Sequence, residues 1–325
     1  MNKSILSVVL CAACFGGGMA WAQSTPAEST LRHQPAVKAG NPLRDMMLSA
    51  TRAGKRIVAV GERGVVLLSD DDGVTYRQAK SVPTRATLTS VNFVDDKTGW
   101  SAGHWGSILV TEDGGESWRL QRDDLETDQP LFSVWFRDHR NGVAAGLFSL
   151  LLVTEDGGKT WSKARLPSLP GTRMRDVNLF RIFPERGGTI WIAGEHGLLF
   201  RSQDGARSWE PVVTGAKGTL WAGTTLDDDS ILVGGLSGSM YRSTDRGATW
   251  SRIDTGTKSS VTDMVQLANG QVFAVGLDGL LLTSDDRGAT FKAQRRADQS
   301  ALTAVTVNNR GVPLIFSQSG VVKNP

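Results

Sequence analysis

Two tyrosines, four histidines and a scatter of carboxylates are the side chains with which this 325-residue chain would have to do chemistry. Hydrolysis of a sugar acid calls for a Tyr nucleophile partnered by Glu, with Arg residues gripping the substrate carboxylate, all converging on one point. Tyr76 closes a short acidic turn motif and Tyr241 lies within a strand-like run, so neither stands where a nucleophile belongs. Two-carboxylate hydrolysis has three candidates, Asp45, Asp176 and Asp263, each two residues beyond an apolar residue that opens a strand-like segment. Carboxylates so placed also accept hydrogen bonds from nearby backbone amides, and that is the role expected of them. His33, His104, His139 and His196 show no close pair of metal ligands. No Gly-rich segment precedes a helical pattern, so no phosphate loop is present, and neither a metal nor a cofactor is expected.

Cys11 and Cys14 are the two cysteines, and both lie in an N-terminal stretch with the layout of a secretory leader. Lys3 precedes an apolar run from Ile5 to Phe15, and Ala20-Trp21-Ala22 offers a small-residue cleavage site. Residues 1–22 are therefore expected to be a signal peptide, leaving residues 23–325 as an exported, periplasmic or extracytoplasmic domain without disulfides. No later stretch approaches the roughly twenty apolar residues of a spanning helix. The formal net charge of +3 includes Lys3, so the mature chain carries no field strong enough to favour nucleic acid or an anionic membrane.

What must position any site is a repeat. Six segments follow Ser/Thr-x-Asp-x-Gly-x-Thr/Ser-aromatic: Asp71 with Tyr76, Asp113 with Trp118, Asp156 with Trp161, Asp204 with Trp209, Asp245 with Trp250, and Asp286 with Phe291. One lapse occurs at Ala206, where Gly is expected. The terminal aromatics are 42, 43, 48, 41 and 41 residues apart, the period of a four-stranded propeller blade. The box is read as structural: its hydroxyl and carboxylate satisfy turn amides, its Gly takes the left-handed position, and its aromatic wedges between sheets.

An apolar start to an inner strand recurs seven times, at Leu43, Leu88, Leu131, Met174, Leu220, Val261 and Leu302, against six boxes. The chain ends where a seventh box would open. Residues Thr30-Leu31-Arg32-His33-Gln34 resemble the outer strand Ser117-Trp118-Arg119-Leu120-Gln121, so the N-terminus is expected to supply the last blade's missing strand. The expected fold is all-β, a single seven-bladed propeller of four-stranded antiparallel blades closed in this way and acting as a monomer.

Gly-x-x-Gly pairs such as Gly103/Gly106 mark the turn between each blade's second and third strands. In a propeller these turns share one face with the loops that join blades. They carry Arg63, His104, Trp105, Leu147, Phe148, His196 and Leu277, and the joining loops add Arg44, Arg85, Arg173 and Arg175. Aromatic anchors beside Arg are the usual energetic centre of an interface, and Arg suits bidentate grip on a carboxylate. These residues are the expected partner-binding set, with the acidic loop Asp123, Asp124, Glu126 and Asp128 as an orienting feature.

Blade two reads Phe93-Val94-Asp95-Asp96-Lys97-Thr98-Gly99-Trp100-Ser101-Ala102-Gly103, then Gly106-Ser107-Ile108-Leu109-Val110-Thr111 and its box. In this it resembles the photosystem II stability/assembly factor family, over essentially the whole mature chain. The resemblance implies a non-catalytic assembly chaperone whose partner is a membrane-protein subunit or transporter complex. The wider Asp-box group includes sialidases, so an Asp-box glycoside hydrolase or glycan-binding protein is the alternative. Phe180-Arg181-Ile182-Phe183-Pro184 echoes a sialidase Phe-Arg-Ile-Pro element, but it falls in the fourth unit with an extra Phe and is read as coincidence.

Overall fold

The computed structural model describes residues 34–38, 40–124, 126–167 and 176–323, which form seven antiparallel sheets. Each innermost strand packs on those of its two neighbours, and the seventh packs on the first, so the sheets are the blades of a closed ring. Blade one runs outward in chain order through Met47–Ala53, Arg56–Gly61, Val66–Ser69 and Arg77–Gln78. Five more blades repeat this four-strand meander. Among the described residues the seventh has three strands, Leu302–Val307, Pro313–Ser317 and Gly320–Val321.

Two inner strands begin later than their apolar markers suggested. In blade two Leu88 pairs with Gly103. The equivalent pairs are Met47 with Gly61 and Leu179 with Gly194, which displaces Leu43 and Met174 from the strand starts. Pro42 explains the first shift: its fixed φ opens a single 3-10 turn, Pro42–Arg44, ahead of the strand. In blade four the joining loop is longer than in the other blades, and Met174 falls outside the described residues. Asp45 and Asp176 are accordingly not inner-strand residues; Asp263, third in Val261–Gln266, is.

The core lies between blades. Trp100 of blade two stacks on Phe136 of blade three, centroids 3.6 Å apart. At the seam, Met47, Ile57 and Leu67 of blade one bury against Ala304 and Phe316 of blade seven, and Tyr76 meets Phe316 edge-on at 6.1 Å. Thr303 donates its hydroxyl to the Met47 carbonyl across the same seam. Leu31, expected to complete blade seven, lies outside the described residues. Pro35 to Lys38, which are described, run along blade one, where Ala36 N–H donates to the Val82 carbonyl at 2.9 Å and Gln78 Nε2 to the Val37 carbonyl at 2.9 Å. Pro35 has no N–H for a continuous ladder.

Candidate partner-binding face

One end of the ring gathers the turns between second and third strands with the loops joining blades. The first Gly of each pair answers a close approach. A Cβ on Gly103 would stand 2.1 Å from the Thr87 carbonyl oxygen. The second takes positive φ, +59° at Gly106. The residue just before it is also left-handed in six blades: Arg63, Trp105, Phe148, His196, Ser237 and Asp278 have φ of 52–58°. For a non-Gly residue that geometry costs about 1 kcal/mol or more.

Blade three departs from this pattern, because Ser149 (φ 57°) stands where the other five turns have Gly, placing two side-chain-bearing left-handed residues in succession. The next blade holds them in place. Asn178 Oδ1 accepts from Phe148 N at 2.9 Å, the Val177 carbonyl accepts from Ser149 N at 2.8 Å, and Asn178 Nδ2 donates to Glu195 Oε1 at 2.9 Å. The result is a phenyl ring held out with 57% of its surface exposed.

Inward of these turns, every inner strand carries a one-residue bulge at its second position. The bulge residues Leu48, Thr89, Phe132, Phe180, Trp221, Thr262 and Thr303 are all half-buried. Where this residue is Thr it ties blades: Thr89 donates to the Leu131 carbonyl at 2.6 Å and Thr262 to the Leu302 carbonyl at 2.7 Å. Blades three to five carry aromatics instead, with Phe132 and Phe180 stacked at 5.3 Å. The third positions complete the lining. Ser49, Ser90 and Ser133 accept from Val91, Val134 and Ile182 N–H, and Asp263 Oδ2 accepts from Val305 N–H at 3.0 Å. Asp263 thus does what was expected of it, bonding main-chain amides.

The predicted partner residues separate into groups. Phe148, His104 and His196 are exposed, whereas Trp105, Leu147 and Leu277 are half-buried. Arg63 pairs with Asp45 at 2.5 Å, and Arg85 Nε donates to the Pro35 carbonyl at 3.2 Å. These two Arg line one cavity of about 470 Å³ with Lys38 and Asn41. Arg44 is exposed in its 3-10 turn, while Arg173 and Arg175 lie outside the described residues. Asp124 orders its own loop, accepting from Glu126 and Thr127 N–H and pairing with Arg122 at 3.3 Å. Phe132, Phe180, Trp221 and the exposed Leu236 were missed, although three of the four share one readable sign: each directly follows the residue that opens an inner strand.

On the opposite end the boxes are built as read. In the first, Asp71 accepts from Thr75 Oγ1 at 2.6 Å and Thr75 N at 2.8 Å, and Ser69 Oγ accepts from Gly73 N at 2.8 Å. The same contacts recur at Asp113, Asp156, Asp204, Asp245 and Asp286. The Thr75 hydroxyl, then its amide, lower Asp71 to about 2. Asp156 is lowered to about 2 by the amide and then the hydroxyl of Thr160. Of the two tyrosines, Tyr76 is wedged into the seam, where burial raises its phenol, and Tyr241 is half-buried in a third strand. No three His, Cys, Asp or Glu cluster as metal ligands among the described residues.

Ring, boxes and turns define a seven-bladed Asp-box β-propeller. The family profile of photosynthesis system II assembly factor YCF48 matches residues 77–222 and, displaced by about one blade, residues 121–270. The chain belongs to this family. Among solved structures it is similar to YCF48 bound to D1 peptide, at TM-score 0.69 and 19% identity over 86% of this chain and 93% of that one. YCF48 from Cyanidioschyzon merolae gives 0.68 and 17% over 86% and 95%. The WD40 β-propeller domain of Doa1 gives 0.65 and 14% over 90% and 95%, a likeness of fold. No curated protein matches by sequence.

Proposed function

We propose that this chain is a non-catalytic assembly factor that binds a membrane-protein subunit on the end of the ring carrying Phe148, Leu236 and the Phe132–Phe180–Trp221 arc. Phe148 carries the reading. A ring held in water on two consecutive left-handed residues is costly to the free protein, and buried apolar area at an interface offsets that cost. Membership of the YCF48 family supports a protein partner, and a similar propeller has been solved with a D1 peptide bound. Arg63, Arg85 and Lys38, at blade one on the same end of the ring, favour acidic or carboxylate groups on that partner. The leader-like residues 1–22 support export, so the partner surface would face the periplasm.

In-cell crosslinking followed by affinity recovery is the test. The native chain should recover a specific membrane protein, and Phe148→Ala combined with Trp221→Ala should lose it while the melting temperature stays near that of the parent. Undiminished recovery by a folded double variant removes this face from consideration. Hydrolysis of a fluorogenic sialoside by the purified protein would replace the binding role with the glycosidase alternative.

A further inference from the structure

The groove between blades three and four, on the outer side of the ring away from the Phe148 turns, is a distinct feature. Sequence opens it. In blade two the second-strand residue Trp100 and, three residues after the box aromatic, Gln121 both donate to the Gly157 carbonyl of the third box and line a cavity of about 570 Å³ at the corresponding place. Blade four again has Trp191 at the Trp100 position, opposite Phe183. Blade three has Val143 there, opposite Trp135, and Ala164 in the place of Gln121. With these two smaller residues the cavity here is about 660 Å³.

Its lining is cationic. Arg137, Arg140, Lys163, Arg165 and Arg207 face two carboxylates, Glu155 and Asp156. Asp156 is committed to its box, bonding Thr160 N and Oγ1. Arg140 donates to the Glu155 carbonyl at 3.2 Å and Arg137 makes a 3.5 Å contact to Asp138. Among the described residues no acceptor meets the side chains of Lys163, Arg165 or Arg207. The Arg137 guanidinium reaches across to blade four, 3.4 Å from where a methyl on Gly205 would stand. The whole chain has a formal net charge of only +3, so an equal local excess in one concave site is a concentration of positive potential. Trp135 adds an apolar wall.

We propose that this groove is a binding site for a phosphoryl-bearing anion, gripped by Arg137 from blade three and Arg207 from blade four, with its organic part against Trp135. Guanidinium forks match phosphoryl oxygens bidentately, and a concave site screens them less than open surface does. The site is separate from the partner face and stands whether or not that face binds a subunit.

The experiment uses the full mature chain with pyrophosphate as soluble probe by calorimetry and phosphatidylglycerol–phosphatidylcholine vesicles by flotation. The parent should bind pyrophosphate with an affinity that falls as salt rises. Arg137→Gln with Arg207→Gln should weaken it by about tenfold or more, since each lost charge-assisted bond is worth more than 1 kcal/mol. Ala164→Gln, which introduces the larger side chain that the neighbouring groove carries as Gln121, should weaken it without removing charge. Vesicle flotation that the same variants abolish assigns the phosphoryl group to a lipid headgroup, and pyrophosphate binding without flotation assigns it to a soluble compound. Failure of the parent to bind either probe, or equal binding by parent and folded double variant, overturns the site.

Discussion

Arg181 of blade four reaches Asp263 of blade six at 3.2 Å, passing over blade five, whose equivalent residue is Ala222. Asp263 is only 6% exposed and also accepts from Met264 and Val305 N–H at 3.0 Å each. The small Ala222 leaves room for a pair that ties three blades at the channel. Removing a buried acceptor orphans these donors, so Asp263→Ala should lower stability by about 2–4 kcal/mol in urea unfolding. Asp263→Asn, which keeps one of the two acceptor oxygens, should cost less than Asp263→Ala. Equal losses for the two variants would mean that charge, not hydrogen bonding, is what the ring needs there.

One tie across the seam joins Thr303 and Met47, 256 residues apart in sequence. Thr303→Val keeps the shape and deletes the hydroxyl, leaving the Met47 carbonyl without this donor, at a cost of about 1 kcal/mol. Hydrogen exchange should speed up in Met47–Ala53 and Leu302–Val307 and stay unchanged in Leu220–Thr225. Uniform acceleration around the ring would show that the seam is not its weakest joint.

Blade number, strand count and the Asp-box contacts were legible in sequence because each rests on a local pattern repeated six or seven times, so one lapse such as Ala206 does no harm. The starts of blades one and four were not, because an apolar residue in a joining loop looks the same as one opening a strand. The 48-residue interval between Trp161 and Trp209, longest of the five, already pointed to extra loop before Leu179. Trp105 and Phe148 occupy the same turn position, yet one is half-buried and the other exposed. That difference depends on the adjoining loop, which no turn motif encodes. The groove at Val143 and Ala164 was equally hidden, since small residues signal a cavity only once their neighbours are in register.

Acid should loosen the boxes together. Asp71, Asp156, Asp204, Asp245 and Asp286 are each lowered to about 2 from 3.8, hydroxyl and amide donors from the box Thr or Ser holding the charged form. A carboxylate with a depressed folded pKa stabilises fully above its unfolded value, and that contribution is lost as pH falls through the folded one. Melting temperature should therefore be flat with respect to these groups above pH 4 and drop between about 4 and 2. Asp245→Asn should melt lower than the parent at neutral pH and lose less on acidification. A parallel acid profile for the two would remove Asp245 from the linkage.

Gly247 and Ala206 occupy the same box position with opposite expectations. At Gly247, φ +83°, a Cβ would lie 2.4 Å from Trp191 Cη2 of the preceding blade. Gly247→Ala therefore adds left-handed strain to a clash with a fully buried indole, for a loss of about 2–4 kcal/mol. Ala206, φ +72° and 4% exposed, tolerates its methyl because the preceding blade has Val143 where blade four has Trp191. Ala206→Gly removes about 1 kcal/mol of backbone strain and about 0.8 kcal/mol of methyl burial, so its net effect should stay within about 1 kcal/mol of zero. Chemical denaturation of both variants checks the pair. A loss at Ala206→Gly as large as that at Gly247→Ala would show that the box, and not the second-strand residue of the blade before it, decides what this position accepts.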